Sequence, residues 1–322
     1  MLVDVTLHSY SLRYRFAHKK EFDAFAFANL AVSMGFTGIS LSLNDANYRH
    51  LGGRDPSLVE AFGRHIAALG LSLEIDTSGT HPGHLSELLH VAHRMGARSL
   101  RTYTRHRGSI EDMIRQTMSD LTEVMPVAQD LGIVVVLENH EDFTGRELAQ
   151  IVEDVGHPNL KILYDYGNSQ MVLEDPEVAL EAVLPHVYSV HVKDHVLIRN
   201  ERSDHAIVVG VSVGEGFLPL ERITRRLLES GLRTFCFENV WAYSSRIQSE
   251  RAPSAGVVLG IGAFSYLDPP FDPSRVDVTP HLLDPEQLVS LEFSALTRGI
   301  DEFRNILGRL GYEGILQSLS NT

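Results

Sequence analysis

The chain has 322 residues, 43% of them apolar, which is enough material for a large buried core. Its formal charge of −14 would repel a phosphate backbone, so a nucleic-acid substrate is excluded unless a local basic patch overrides it. Cys236 is the single cysteine, which rules out an intrachain disulfide or a cysteine metal cage and points to a reducing, cytoplasmic setting. No secretory signal or membrane-length apolar run is expected, because the run near Ile133 to Leu137 is far shorter than the roughly 20 residues a spanning helix needs.

In chain order, the first strand is LVDVTL at residues 2–7. A repeated unit follows, in which a helix-period stretch ends at glycine and a short apolar run begins within a few residues. It recurs as Met34-Gly35 before GISLSL, Leu69-Gly70 before LSLEID, Met95-Gly96 before SLRTYT, Leu131-Gly132 before IVVVLE and Val155-Gly156 before LKILYD. A helix predicted over Pro176 to Leu184 leads to VYSVHV at 187–192, and Ser230-Gly231 precedes the last run, TFCFE. Eight apolar, largely β-branched strands alternating with helices imply a parallel sheet covered by helices, and eight such units favour closure into a single (β/α)8 TIM barrel. An open doubly wound sheet is the alternative, although no G-x-G-x-x-G follows the first strand.

The repeat stops after Trp241. The chain therefore divides into a barrel core at 1–241, an irregular excursion at 242–283 and a C-terminal helical part at 284–322 expected to pack on the barrel. The excursion is rich in proline and glycine and reads as a surface loop, a lid or a partner-docking segment. Asp284 at the N-cap and Pro285 in the first turn predict a helix running to about Gly308 or Gly311.

In a parallel barrel, chemistry gathers at the C-terminal ends of the strands. Glu138 ends strand five, Asp165 ends strand six, His191 lies near the end of strand seven and Glu238 ends strand eight. Three carboxylates and one imidazole form a hard donor set that suits one divalent ion, with Mn²⁺ first and Mg²⁺, Co²⁺ or Zn²⁺ as alternatives. His140 lies two residues beyond Glu138, where period-two geometry would aim it to the same side and make it a candidate base, although a loop histidine bonded to backbone is the alternative. Lys193 could hold a substrate oxygen or serve only in a surface ion pair. His8 and Arg101 could grip hydroxyls at the ends of strands one and four, and Glu215, between two glycines, could line the mouth.

At these residues the chain resembles the xylose isomerase-like, or sugar phosphate isomerase/epimerase, superfamily. The matching pieces are LENHEDFTGREL with Glu138, LYDYGNS with Asp165, HVKD from His191, GEG at 214–216 and FENVW with Glu238, and the resemblance covers roughly residues 1–241. It implies one divalent ion, a small-molecule carbohydrate whose adjacent oxygens chelate it, and proton abstraction beside a carbonyl through a metal-stabilised enediolate. Glu138 and Glu238 are the bases it implies, on opposite faces of the sugar. Three departures weigh on the reaction: Thr144 stands where the aldose-ketose branch has a glutamate, Asn168 stands where it has a histidine, and the extension after Trp241 is long. Asn168 and the acidic charge also speak against the DNA-repair branch.

The expected activity is therefore a metal-dependent sugar isomerase or epimerase. A lyase acting on an oxo-sugar is the rival: a C-glycoside deglycosidase α-subunit, an oxo-sugar-acid decarboxylase or a dehydratase. The non-enzymatic alternative is a sugar-binding barrel subunit. A homo-oligomer or a second subunit would fit the apolar excursion.

Overall fold

The structure is a computed structural model and describes residues 1–199, 206–248, 251 and 253–314. Eight parallel strands form a closed ring. They are β1 (Leu2–His8), β2 (Gly38–Ser42), β3 (Ser72–Asp76), β4 (Ser99–Thr102), β5 (Val134–Glu138), β6 (Leu160–Asp165) and β7 (Val187–Val192), followed by β10 (Thr234–Phe237). Pairing of β10 with β7 (Cys236↔His191) and with β1 (Asp4↔Thr234 to Leu7↔Phe237) closes the ring. The fold is the (β/α)8 TIM barrel expected from the repeat.

Helices α2 (Ala24–Ser33), α3 (Pro56–Leu69), α4 (Pro82–Met95), α5 (Ile110–Leu131), α6 (Gly145–Val155), α7 (Pro176–Val183) and α8 (Leu220–Glu229) connect the strands. Each turns an apolar stripe onto the ring: Phe27 from α2, Phe62 from α3, Leu121 from α5 and Leu227 from α8 are fully buried. The glycine that ends α5, Gly132, has φ +67°, and Gly96 after α4 has φ +75°. Both are left-handed closures that a side chain resists, which is why the helix-glycine-strand rhythm was visible in the sequence.

Two features lie outside that rhythm. Between β7 and α8 the chain forms an antiparallel pair, β8 (Asp194–Ile198) and β9 (Ile207–Val211), to which β11 (Ser244–Arg246) adds. The run IVVGV was not assigned from the sequence because no helix-glycine unit precedes it. A short helix α1 (Arg13–His18) also follows β1.

Helix α9 (Pro285–Arg309) starts where predicted, with Asp284 accepting from the Gln287 amide and Gln287 reaching back in a capping box. It buries Leu296, Ile300, Phe303 and Leu307 against the barrel. After it, β12 (Glu313–Gly314) pairs with Leu2 and Val3 of β1. Residues 315–322 of the predicted C-terminal part lie outside the described residues. No helix among the described residues is long and apolar enough to cross a membrane.

Candidate functional site

The strand ends converge on His191. Its Nδ1 lies 3.4 Å from Glu138 Oε1, 3.7 Å from Glu238 Oε2 and 3.8 Å from Asp165 Oδ2. All four residues are buried. Asp165 is the last residue of β6 and Glu138 the last of β5, while Glu238 directly follows β10. Asp165 is held in place by the Gly167 and Asn168 amides, which donate to Oδ1 at 2.9 and 3.0 Å. Asn168 Nδ2 donates to Glu138 Oε1 at 3.3 Å.

Ligand atoms of Glu138, Asp165 and His191 lie within 4.8 Å of one another, so this buried triad could hold a metal ion. The donor chemistry fits a hard divalent cation. A second observation agrees with it: among the described residues neither buried ring nitrogen of His191 makes a well-formed hydrogen bond, and the three carboxylates stand 3.4 to 3.8 Å from Nδ1, around a point that a cation could share with them.

Protein cations already offset part of this charge. Lys193 Nζ is 2.8 Å from Asp165 Oδ2 and 3.0 Å from Glu238 Oε2. The Arg101 guanidinium bridges Asp76 and Glu138 through ion pairs. His8 lies between Asp76, at 3.1 Å, and Glu238, at 3.5 Å. Glu138, Arg101, Asp76, His8, Glu238 and Lys193 thus make a nearly continuous chain of facing charges and imidazole around the floor.

This arrangement sets the protonation states. Burial works to raise Glu138, but Arg101 and His191 outweigh it and hold the carboxyl at about 2. Burial likewise opposes ionisation of Glu238, and Lys193 with His191 holds it well below the usual range. Asp165 moves the other way: burial, with Glu138 and Glu238 as like charges, lifts it to about 6 against the pull of Lys193. Burial would neutralise Lys193, yet Asp165 and Glu238 keep its ammonium charged. His140 is lowered to about 4, chiefly by burial, so its ring is neutral at pH 7. That ring stacks on Tyr103 with centroids 3.7 Å apart and planes 5° from parallel.

A cavity of about 390 Å³ opens above the floor, within the size range of small-molecule sites. His8, Arg101, Glu138, His140, Lys193 and Glu238 all line it. Arg101 is committed to two carboxylates rather than free to grip a hydroxyl. Glu215 is the exception and corrects the expectation of a mouth residue. It pairs with Arg298 of α9, Nε to Oε1 at 2.9 Å, and is absent from the cavity wall. The glycines beside it serve Asp194 instead, because the amides of Gly214 and Gly216 donate to Asp194 Oδ2 at 2.9 Å and a Cβ on Gly216 would overlap that carboxylate.

Other wall residues were not foreseen. Asp76 ends β3, so reading that strand end as the others were read would have found it. Tyr10 lies in a single helical turn after β1, Arg13 begins the short helix α1 and His50 lies in the turn before α3, and none of them carries a comparable periodic signal. Tyr243, from the beginning of the excursion, hydrogen-bonds Glu141 in the loop after β5, and Ser245 Oγ donates to Glu141 Oε2 at 3.0 Å. The excursion thereby supplies one wall of the cavity.

Residues 28–257, well over half of the chain, match the family model described as the xylose isomerase-like TIM barrel. The chain is 27% identical over 201 residues to the uncharacterized protein YihM of Escherichia coli (strain K12), covering 62% of this chain and 61% of that protein. It is 26% identical over 168 residues to the 3-oxo-isoapionate decarboxylase of Pectobacterium atrosepticum, covering 52% of this chain and 61% of that enzyme. The alignments thus span about three fifths of the length of these curated relatives. Among solved structures, D-psicose 3-epimerase with D-tagatose from Clostridium cellulolyticum H10 superposes with a TM-score of 0.61 at 12% identity, covering 92% of this chain and 98% of that one.

Proposed function

The chain belongs to the xylose isomerase-like TIM barrel family, and from that premise we propose that it is a divalent-metal-dependent isomerase or epimerase that removes a proton beside the carbonyl of a small oxo-carbohydrate. The observation that carries this reading is the convergence of three buried carboxylates on His191 Nδ1. The epimerase likeness of the fold is compatible with it.

A divalent ion held by Glu138, Asp165, His191 and Glu238 would act as Lewis acid and template for a carbonyl and its neighbouring hydroxyl. The remaining work falls to side chains. Glu138 and Glu238, both ionised, flank the floor and can accept a proton, but their low basicity makes acceptance uphill. His140, neutral and on the cavity wall, is the more basic acceptor of the three. Lys193 places a permanent ammonium where charge would build on a substrate oxygen. Arg101 maintains Glu138 in its anionic form. Asn168 orients the same carboxylate.

A lyase is the second reading, supported by the similarity to a decarboxylase. Both share the initial bond-breaking beside a carbonyl and differ in what leaves.

The test is solvent deuterium uptake by ketoses, inososes, oxo-sugar acids and 3-oxo-glycosides. It should be run with protein stripped by EDTA and again after Mn²⁺ is restored. We expect exchange into at least one class that depends on the added ion. Protein that retains no ion on dialysis and exchanges none of these compounds would refute the proposal.

A further inference from the structure

Resting on that reading, we propose that Arg13 is a carboxylate subsite, and that the substrate is a sugar acid whose carboxylate binds at the β1 side of the mouth while its oxo end faces His191.

Arg13 opens α1 and lines the same cavity as Glu138 and Glu238. Its guanidinium carbon lies 4.6 Å from the Tyr10 ring centre and 4.5 Å from that of Tyr14. Nη2 donates to the Trp241 carbonyl at 2.6 Å and approaches the Tyr14 hydroxyl at 3.4 Å. Nη1 is buried and has no hydrogen-bond partner among the described residues. A guanidinium offers five donors, and Arg13 is only partly buried where it lines the cavity, so an incoming anion can add hydrogen bonds that Tyr14 and Trp241 do not supply.

Arg13, which is partly buried, differs here from Arg101 and Lys193, the buried cations of the cavity. Arg101 and Lys193 are each matched to two carboxylates. Among the described residues, Arg13 makes no ion pair. Glu292, the carboxylate whose field reaches it, has its two oxygens engaged by the amides of Tyr14 and Arg15 at 2.8 and 3.1 Å. The two tyrosine rings and the Trp241 carbonyl fix the head group, so little side-chain freedom is lost when an anion binds.

The charge balance of the cavity points the same way. Arg13, Arg101, Arg105 and Lys193 line it. Facing them are Asp76, Glu138, Glu141 and Glu238 on the wall, with Asp165 beneath. Once a divalent ion is added, one positive charge is left uncompensated; among the described residues Arg13 and Arg105 are the cavity cations without an ion pair, and Arg105 is exposed whereas Arg13 is partly buried. One surplus charge matches a single carboxylate better than a phosphate dianion.

The test compares acids with their uncharged counterparts. Binding of D-gluconate and D-erythronate is measured by calorimetry against D-glucitol and erythritol, with inorganic phosphate as a third arm, on protein supplied with Mn²⁺. We expect each acid to bind about tenfold or more tighter than its polyol. Arg13→Gln should abolish that preference without weakening polyol binding, and Arg13→Lys should keep part of it.

Acids that bind no better than polyols in the wild-type protein would overturn the subsite, and this arm needs no variant to fold. A preference that survives in Arg13→Gln would place the carboxylate on the ion or on another cation, and phosphate binding tighter than either acid would assign the site to phosphate. Either result also overturns the proposal. The outcome is separable from the reaction itself. Deuterium exchange into neutral ketoses without acid preference removes the subsite alone, whereas an Arg13-dependent acid preference without exchange into any oxo compound removes the proton-abstraction reading alone.

Discussion

Glu138 is held on both of its oxygens: Arg101 on one, Asn168 and His191 on the other. Replacing it with glutamine removes a charge without much change in shape, and the lost charge leaves Arg101 half-matched and an ion one donor short. Glu138→Gln and Glu238→Gln should therefore each abolish turnover while the far-ultraviolet circular dichroism of the barrel is kept. Wild-type rates in either variant would remove that carboxylate from the mechanism. His140 is a different case, since it touches the wall rather than the centre. As the acceptor proposed above, it should cost kcat roughly 10²-fold or more on substitution by alanine. Stacking on Tyr103 alone would predict a change mainly in KM, so measuring kcat and KM separately decides between the two roles.

Among elements, strand ends were more legible than loops. Glu138, Asp165, His191 and Glu238 could be found because a strand fixes which residue reaches its end, and the helix-glycine-strand rhythm fixes where the strand is. Glu215 was misplaced for the opposite reason. Glycines on both sides mark a tight loop without saying what the loop encloses, and here it encloses the Asp194 carboxylate. Arg13 begins a helix of six residues, too short to show a period, and Tyr243 lies on an irregular segment, so only the folded chain brings them to the cavity. Two predictions follow the element boundaries. Asp284→Ala removes the cap of α9 and should cost about 1 kcal/mol, read as a lowered Tm. Glu215→Gln loosens the tie to Arg298 and should leave kcat/KM of whatever reaction is found unchanged. A large loss of activity would return Glu215 to the site.

At the scale of the whole molecule, the barrel seats α9 through a buried carboxylate. Burial lifts Glu292 to about 7, against the Tyr14 amide and Arg13, which pull it down. A folded-state value above the unfolded one means the folded protein holds its proton longer. The associated stability is present in full below about 4.5 and is lost as the pH rises through about 7. Wild-type Tm should therefore fall across that window, and Glu292→Gln should make the fall shallower, the remainder coming from Asp194 and Glu174, which burial lifts to the same range. An unchanged slope would show that Glu292 is ionised throughout.

The paired placement of Lys193 and Arg101 has a practical consequence. A carboxylate nest that brings its own counterions does not depend on a guest for its charge neutrality. Demetallated protein should therefore stay folded on chelation, silent in catalysis yet intact, and regain activity on simple titration with different ions without any cycle of denaturation.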